Sequence, residues 1–168
     1  VPVKILISDD GSDDGTREML DNYAGWYPEQ VVLHHRTEHT GGAAENFFWL
    51  MQEALKDEKN EYIFFSDQDD VWFEDKIKMA VEKLEHAREN VPVLYFSNYD
   101  FYDGDLNFMA HRDGRTPNIS FVNSLVDCVS LGFNSVFNRK AKDMVTEQMP
   151  EKSTGNDWWM YMVCAGMG

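Results

Sequence analysis

The chain has 168 residues, of which 43% are hydrophobic and 14% aromatic, enough to bury a sizeable core within one domain. Thirty acidic residues face 15 basic ones, and the resulting formal net charge of −15 excludes recognition of bulk DNA or RNA, whose phosphates require clustered Lys and Arg. The two cysteines, Cys128 and Cys164, have neither metal-ligand spacing nor a disulfide framework and read as small buried hydrophobes in a reducing compartment. No apolar run reaches the roughly 20 residues that a membrane-spanning helix needs, and no basic segment followed by a cleavage site opens the chain, so it reads as soluble and intracellular.

Val3-Lys4-Ile5-Leu6-Ile7-Ser8 is a short β-rich run that ends in Asp9-Asp10-Gly11-Ser12, and Arg17 to Tyr23 then has helical composition. A second strand is expected at Val31 to His35, followed by a Gly41-Gly42 turn and a helix from about Ala43 to Lys56. Glu61 to Ser66 is a third strand, apolar on both faces as a central strand covered by helices requires, and it runs directly into Asp67-Gln68-Asp69-Asp70. Ile77, Ala80, Val81 and Leu84 recur at helical spacing between Glu74 and Arg88. Val93 to Ser97 supplies a fourth strand. Asn98 to about Asn118 weakens into Asp, Gly, Asn and Pro and reads as a loop, and Val126 to Phe137 resumes with strand-like segments. Asp157 to Met167 reads as the start of a largely buried helix or turn.

In an open α/β sheet, ligands gather where strands end, and two strands here each end in an acidic turn. Asp13 to Thr16 is explained by turn formation and helix capping. Asp9 and Asp10 are explained less well, because adjacent carboxylates after an apolar strand repel each other unless a cation or hydrogen-bond donors compensate. Alternate residues leaving a strand point the same way, so Asp67 and Asp69 can converge on one hard cation, such as Mg²⁺ or Mn²⁺, or on a ribose plus a cation.

These residues carry a resemblance. Ile7-Ser8-Asp9-Asp10-Gly11-Ser12-Asp13-Asp14-Gly15-Thr16 resembles the family 2 glycosyltransferase signature in which a strand ends in D-D-G-S-x-D-G-T. Phe65 to Trp72 resembles the D-x-D segment of that family in the S-D-Q-D-D-x-W form common among bacterial rhamnosyltransferase-like members. Asn156-Asp157-Trp158-Trp159 is similar to the H-D-W-W segment of the same subgroup, with Asn156 in place of the His. Thr40 to Asn46 looks like its G-x-A-x-x-N segment, with Glu45 where an Arg is often found.

The resemblance implies a GT-A (Rossmann-like) nucleotide-sugar-binding fold, with a mostly parallel central sheet and helices on both faces. It also implies that residues 1–168 are one partial domain, lacking the family's first strand with its T-x-Y-N-like turn and a C-terminal acceptor and membrane-associating portion. Carried over, Asp9, Asp10, Gly11, Ser12 and Asn46 bind the nucleotide sugar, Asp67 contacts its ribose or sugar and shares a Mg²⁺ or Mn²⁺ with Asp69, Asp70 lies nearby, and Asp157 is the catalytic base. The implied donor is a nucleoside-diphosphate sugar, dTDP-rhamnose or a UDP-hexose, and the implied acceptor is a saccharide or lipid-linked saccharide of the cell envelope. The implied location is the cytoplasm, at the inner face of the membrane.

Inversion at an anomeric carbon needs a base to take the acceptor proton and a Lewis acid to stabilise the departing diphosphate. Asp157 fits a base surrounded by Trp158, Trp159 and Tyr161, and it equally fits a helix N-cap. Trp72 and Trp159 read as packing residues, and His34, His35, His39, His86 and His111 show no paired ligand spacing. Two readings stand beside the transferase: a nucleotidyltransferase, for which no Gly- and basic-rich phosphate loop is visible, and a degenerate, non-catalytic nucleotide-sugar-binding module.

Overall fold

The computed structural model describes residues 2–87, 90–113, 118–150 and 155–167. Its elements in chain order are β1 (Ile5–Asp9), α1 (Thr16–Trp26), β2 (Val31–His35), α2 (Ala43–Leu55), β3 (Tyr62–Phe64), α3 (Lys76–Glu85), β4 (Leu94–Phe96), β5 (Asp100–Tyr102), β6 (Phe108–His111), α4 (Phe121–Ser124), a 3₁₀ turn at Gly132–Asn134, β7 (Ser135–Asn138), α5 (Arg139–Glu147) and α6 (Asn156–Met167). They divide into two compact units, residues 1–59 with 149–154, and residues 60–148 with 155–168.

In the first unit β1 and β2 pair in parallel, from Ile5 opposite Val31 to Asp9 opposite His35. The right-handed crossover such a pair requires is supplied by α1, which packs on β2. No residue of α1 is buried, and its apolar Met19, Tyr23 and Trp26 are exposed. α2 packs on β1 and supplies the unit's buried core residues, Phe48 and Met51.

In the second unit β7 lies between β3 and β4 and runs antiparallel to both. The expectation of a mostly parallel sheet is therefore met by β1 and β2 and not by β7. The reason is the path of the chain: β7 arrives after the long excursion from residue 97 to 134 instead of after a helical crossover, which leaves its direction free. Alternation along the strands sorts the core. Phe64, Tyr95 and Val136 share a row and pack with Tyr62 against Ala80 and Leu84 of α3. Phe137, wholly buried, turns the other way and meets Phe65. Each such side chain removed from water contributes about 2 kcal/mol. α5 packs on β7 and β3 and against α6, whose Met160, Tyr161, Val163 and Cys164 are buried.

The segment read as a loop contains a hairpin, β5 with β6, closed at Asp103, whose carboxylate accepts from the Asp105 and Asn107 amides at 3.0 and 2.9 Å. The helix expected over Glu74 to Arg88 is shorter, and residue 88, like residues 114–117 of the expected loop, lies outside the described residues. Among the described residues no helix is long and apolar enough to cross a membrane.

Candidate active site

The first unit builds a turn on the end of β1. Asp9, the last residue of the strand, is 4% exposed. Its Oδ1 accepts from the Ser12 amide at 3.1 Å, and its Oδ2 accepts from Arg17 Nε at 2.7 Å and faces His35 Nδ1 at 3.3 Å. Burial alone would raise the Asp9 carboxyl, but the hydrogen bonds from Ser12, Arg17 and His35 outweigh it and hold the group well below the usual carboxylate range. Asp10 turns instead to Thr40, accepting from its amide and its hydroxyl, each at 2.9 Å. Gly11 has φ +102°, and a Cβ there would come within 2.4 Å of the His39 ring, so only glycine fits. Asn46 rivets α2 to β1: its Nδ2 donates to the Ser8 carbonyl at 3.2 Å and its Oδ1 accepts from the Ser8 hydroxyl at 2.6 Å.

The second unit gathers carboxylates. Asp67, three residues beyond β3, has its pKa raised first by burial and then by repulsion from Asp70, Asp69 and Asp157. Burial and Asp69 likewise raise Asp70, against the pull of Lys76. The Lys76 ammonium lies 4.1 Å over the Trp72 ring and donates to the Phe133 carbonyl at 2.5 Å, and burial lowers its pKa. Asp157, in the first turn of α6, accepts from the Gly132 amide at 3.3 Å and from the Trp158 amide at 2.7 Å. It also helps burial push the Cys128 thiol up to about 11. Trp72 Nε1 and Asn156 Nδ2 are buried without a hydrogen-bond partner among the described residues.

The predicted residues thus fall into two sets, Asp9, Asp10, Gly11, Ser12 and Asn46 in the first unit, and Asp67, Asp69, Asp70 and Asp157 in the second. Among the described residues no three His, Cys, Asp or Glu side chains form a ready metal cage. The chemistry of Asp67 and Asp69 nonetheless fits Mg²⁺ or Mn²⁺, which is held through one or two carboxylates with phosphates and water completing the shell. Burial and then the charges of Asp70, Asp69 and Asp157 raise Asp67, a penalty that a hard cation held by Asp67 and Asp69 would relieve.

Sequence reasoning passed over Arg17, His35, Thr40, Lys76 and Gly132. Paired ligand spacing was the wrong filter for His35, which joins a hydrogen-bonded network with Asp9 and Asp21. Lys76 had a signal, since it stands four residues after Trp72 at the start of an amphipathic helix.

An α/β chain with a parallel strand pair and acidic turns after β1 and β3 agrees with the GT-A fold. Residues 2–146 match the family model of glycosyl transferase family 2, and the chain belongs to that family. It is 37% identical over 118 residues to the dTDP-rhamnosyl transferase RfbG of Shigella flexneri, covering 69% of this chain and 39% of that protein. It is 28% identical over 142 residues to the glycosyltransferase GlyG of Streptococcus pneumoniae, covering 84% and 41%. It is 25% identical over 169 residues to the putative teichuronic acid biosynthesis glycosyltransferase TuaG of Bacillus subtilis, covering 97% and 61%. The chain therefore spans 39%, 41% and 61% of the length of these three relatives. No solved structure matches it.

Proposed function

We propose that the chain forms the donor-binding part of an inverting, metal-dependent glycosyltransferase, one that moves rhamnose or a hexose from a nucleoside diphosphate to a saccharide hydroxyl in cell-envelope polysaccharide synthesis. The observation that carries this reading is Asp67, just beyond β3, with Asp69 and Asp70 of its own turn and Asp157 of α6 all within electrostatic reach of it. Asp10, seated beside Asp9 on the β1 turn, contacts the nucleoside, with Gly11 and Ser12 shaping the turn and Asn46 fixing α2 to it. Asp67 binds the ribose or sugar, Asp69 and Asp67 hold the Mg²⁺ or Mn²⁺, and Asp70 keeps Lys76 close. The metal, when bound, supplies the positive charge that a departing diphosphate needs. Asp157 takes the acceptor proton; the Gly132 and Trp158 amides hold its carboxylate in place.

The name of one relative, dTDP-rhamnosyl transferase, supports dTDP-rhamnose ahead of a UDP-hexose as the donor of this chain. A lipid-linked saccharide acceptor would draw the enzyme to the inner face of the cell membrane from the cytoplasm. The test is calorimetric titration of the protein with UDP and dTDP, with and without Mn²⁺, repeated on Asp69→Ala. Binding that requires both the metal and Asp69 supports the transferase site, and the tighter nucleotide names the base. Metal-independent binding points to a non-catalytic nucleotide-sugar module, and no binding at all refutes the site.

A further inference from the structure

The pair Asp9-Asp10 divides its labour. Asp10 keeps a partly open carboxylate, whereas both Asp9 oxygens are consumed inside the protein by Ser12, Arg17 and His35. His35, opposite Asp9 in the β1–β2 register, does not stop at Asp9, for its Nε2 lies 2.9 Å from Asp21 Oδ1 on α1. Both ring nitrogens thus face carboxylate oxygens. A neutral imidazole has one N–H and can satisfy only one of them, while the imidazolium donates to both. The charged groups facing this ring among the described residues are Asp9 from β1, and Asp21 and Arg17 from α1. Because α1 has no fully buried residue, these polar ties add to its half-buried face in restraining how it enters from the turn.

From this geometry we propose that His35 is a positioning residue for the nucleotide site: as an imidazolium bridging Asp9 and Asp21 it holds the Asp9–Ser12 turn, and with it Asp10, in the shape that receives the nucleoside. The inference rests on the proposed nucleotide site and adds to it a proton-linked control of donor affinity. Hydrogen bonding to Asp21 and then Asp9 raises the His35 pKa, which carries the imidazolium toward neutral pH. The hold is complete below the ordinary imidazole value and is lost as pH rises through the raised one.

The experiment is a titration of UDP and dTDP with Mn²⁺ from acid to alkaline pH on the wild type and on His35→Gln. The nucleotide's own phosphate ionisation is common to both proteins and cancels in the ratio of their affinities. The expected result is that the wild type holds an advantage at low pH that disappears at high pH, a change in the ratio of roughly fivefold or more. Asp21→Asn should move that transition to lower pH without abolishing it. A ratio independent of pH overturns the proposal. A companion NMR titration separates it from the function itself: in the wild type the His35 ring and the Ser12 amide should titrate with one midpoint, and in His35→Gln the Ser12 response should vanish. If nucleotide fails to bind the wild type at any pH while this shared midpoint stands, the functional reading falls and the coupling of His35 to the turn survives. Separate midpoints sink the coupling whatever binds.

Discussion

Asp157→Asn separates chemistry from architecture. The substitution is nearly isosteric, and the amide oxygen can still accept from one of the two backbone N–H groups that Asp157 now serves, Gly132 and Trp158. The other N–H loses its acceptor, which costs about 1 kcal/mol, or a drop of roughly 2–4 °C in melting temperature. Removing the negative charge also relieves one of the repulsions that raise Asp67, which offsets part of that cost. Catalysis has no such compensation, because an amide cannot take a proton from the acceptor, and loss of a general base lowers turnover by about 10²–10⁴. The assay is release of nucleoside diphosphate from dTDP-rhamnose and UDP-hexose donors in the presence of a cell-envelope saccharide fraction, read alongside a melting curve and a nucleotide titration. Turnover above a tenth of wild type would refute the role of Asp157 as the base. A collapse of melting or nucleotide binding in parallel with activity would instead assign Asp157 to the fold, as the helix cap that its sequence position also allows.

Four further outcomes follow from the contacts. Asp9→Asn places an amide where Arg17 and His35 now donate and should destabilise by about 2–3 kcal/mol, a melting drop of roughly 5–10 °C by calorimetry. The same network sets a pH window. The lowered Asp9 gives stability that is present above the ordinary carboxylate value and lost in acid, and the raised His35 gives stability lost as pH climbs through its own value, so the wild-type minus Asp9→Asn difference should be largest between about pH 4 and 6.5. Cys128 and Cys164, pushed up to about 11 and about 12 by burial, should resist alkylation by iodoacetamide at pH 8 until the protein unfolds, as mass spectrometry would register. Asn138→Ala removes the N-cap of α5, which accepts from the Ala141 amide at 2.9 Å, together with bonds to the Val93 amide and the Val91 carbonyl; denaturant unfolding should show a loss of about 2–3 kcal/mol.

The strands that carry the chemistry were legible because each couples an apolar run to an acidic turn, and Val31 to His35 matches β2 residue for residue. The strand ends shifted by a residue or two, since pairing partners decide where a ladder stops. The β5–β6 hairpin escaped notice for a different reason: its strands are three and four residues long, mostly exposed, and too short to display alternation. α5 was missed although Ala141 and Val145 lie one helical turn apart behind an Asn cap, a pattern obscured by five charged residues among its nine. The direction of β7 was not written in its residues at all, because Ser135–Asn138 would read the same in either orientation. At the site, residue types and strand ends marked the carboxylates, whereas Arg17, His35 and Thr40 became functional candidates only once folding set them against Asp9 and Asp10.

The first helix remains unusual among the elements of this protein. α1 turns Met19, Tyr23 and Trp26 to solvent and is moored through Arg17 and Asp21, so its attachment leans on ionic contacts where α2, α3, α5 and α6 bury apolar side chains. Ionic strength therefore acts on this one element selectively. In concentrated salt the mooring of α1 weakens while the cores beneath α2 and α3 tighten, and a nucleotide site built at its first turn would inherit that salt dependence even though its ligand contacts were unchanged.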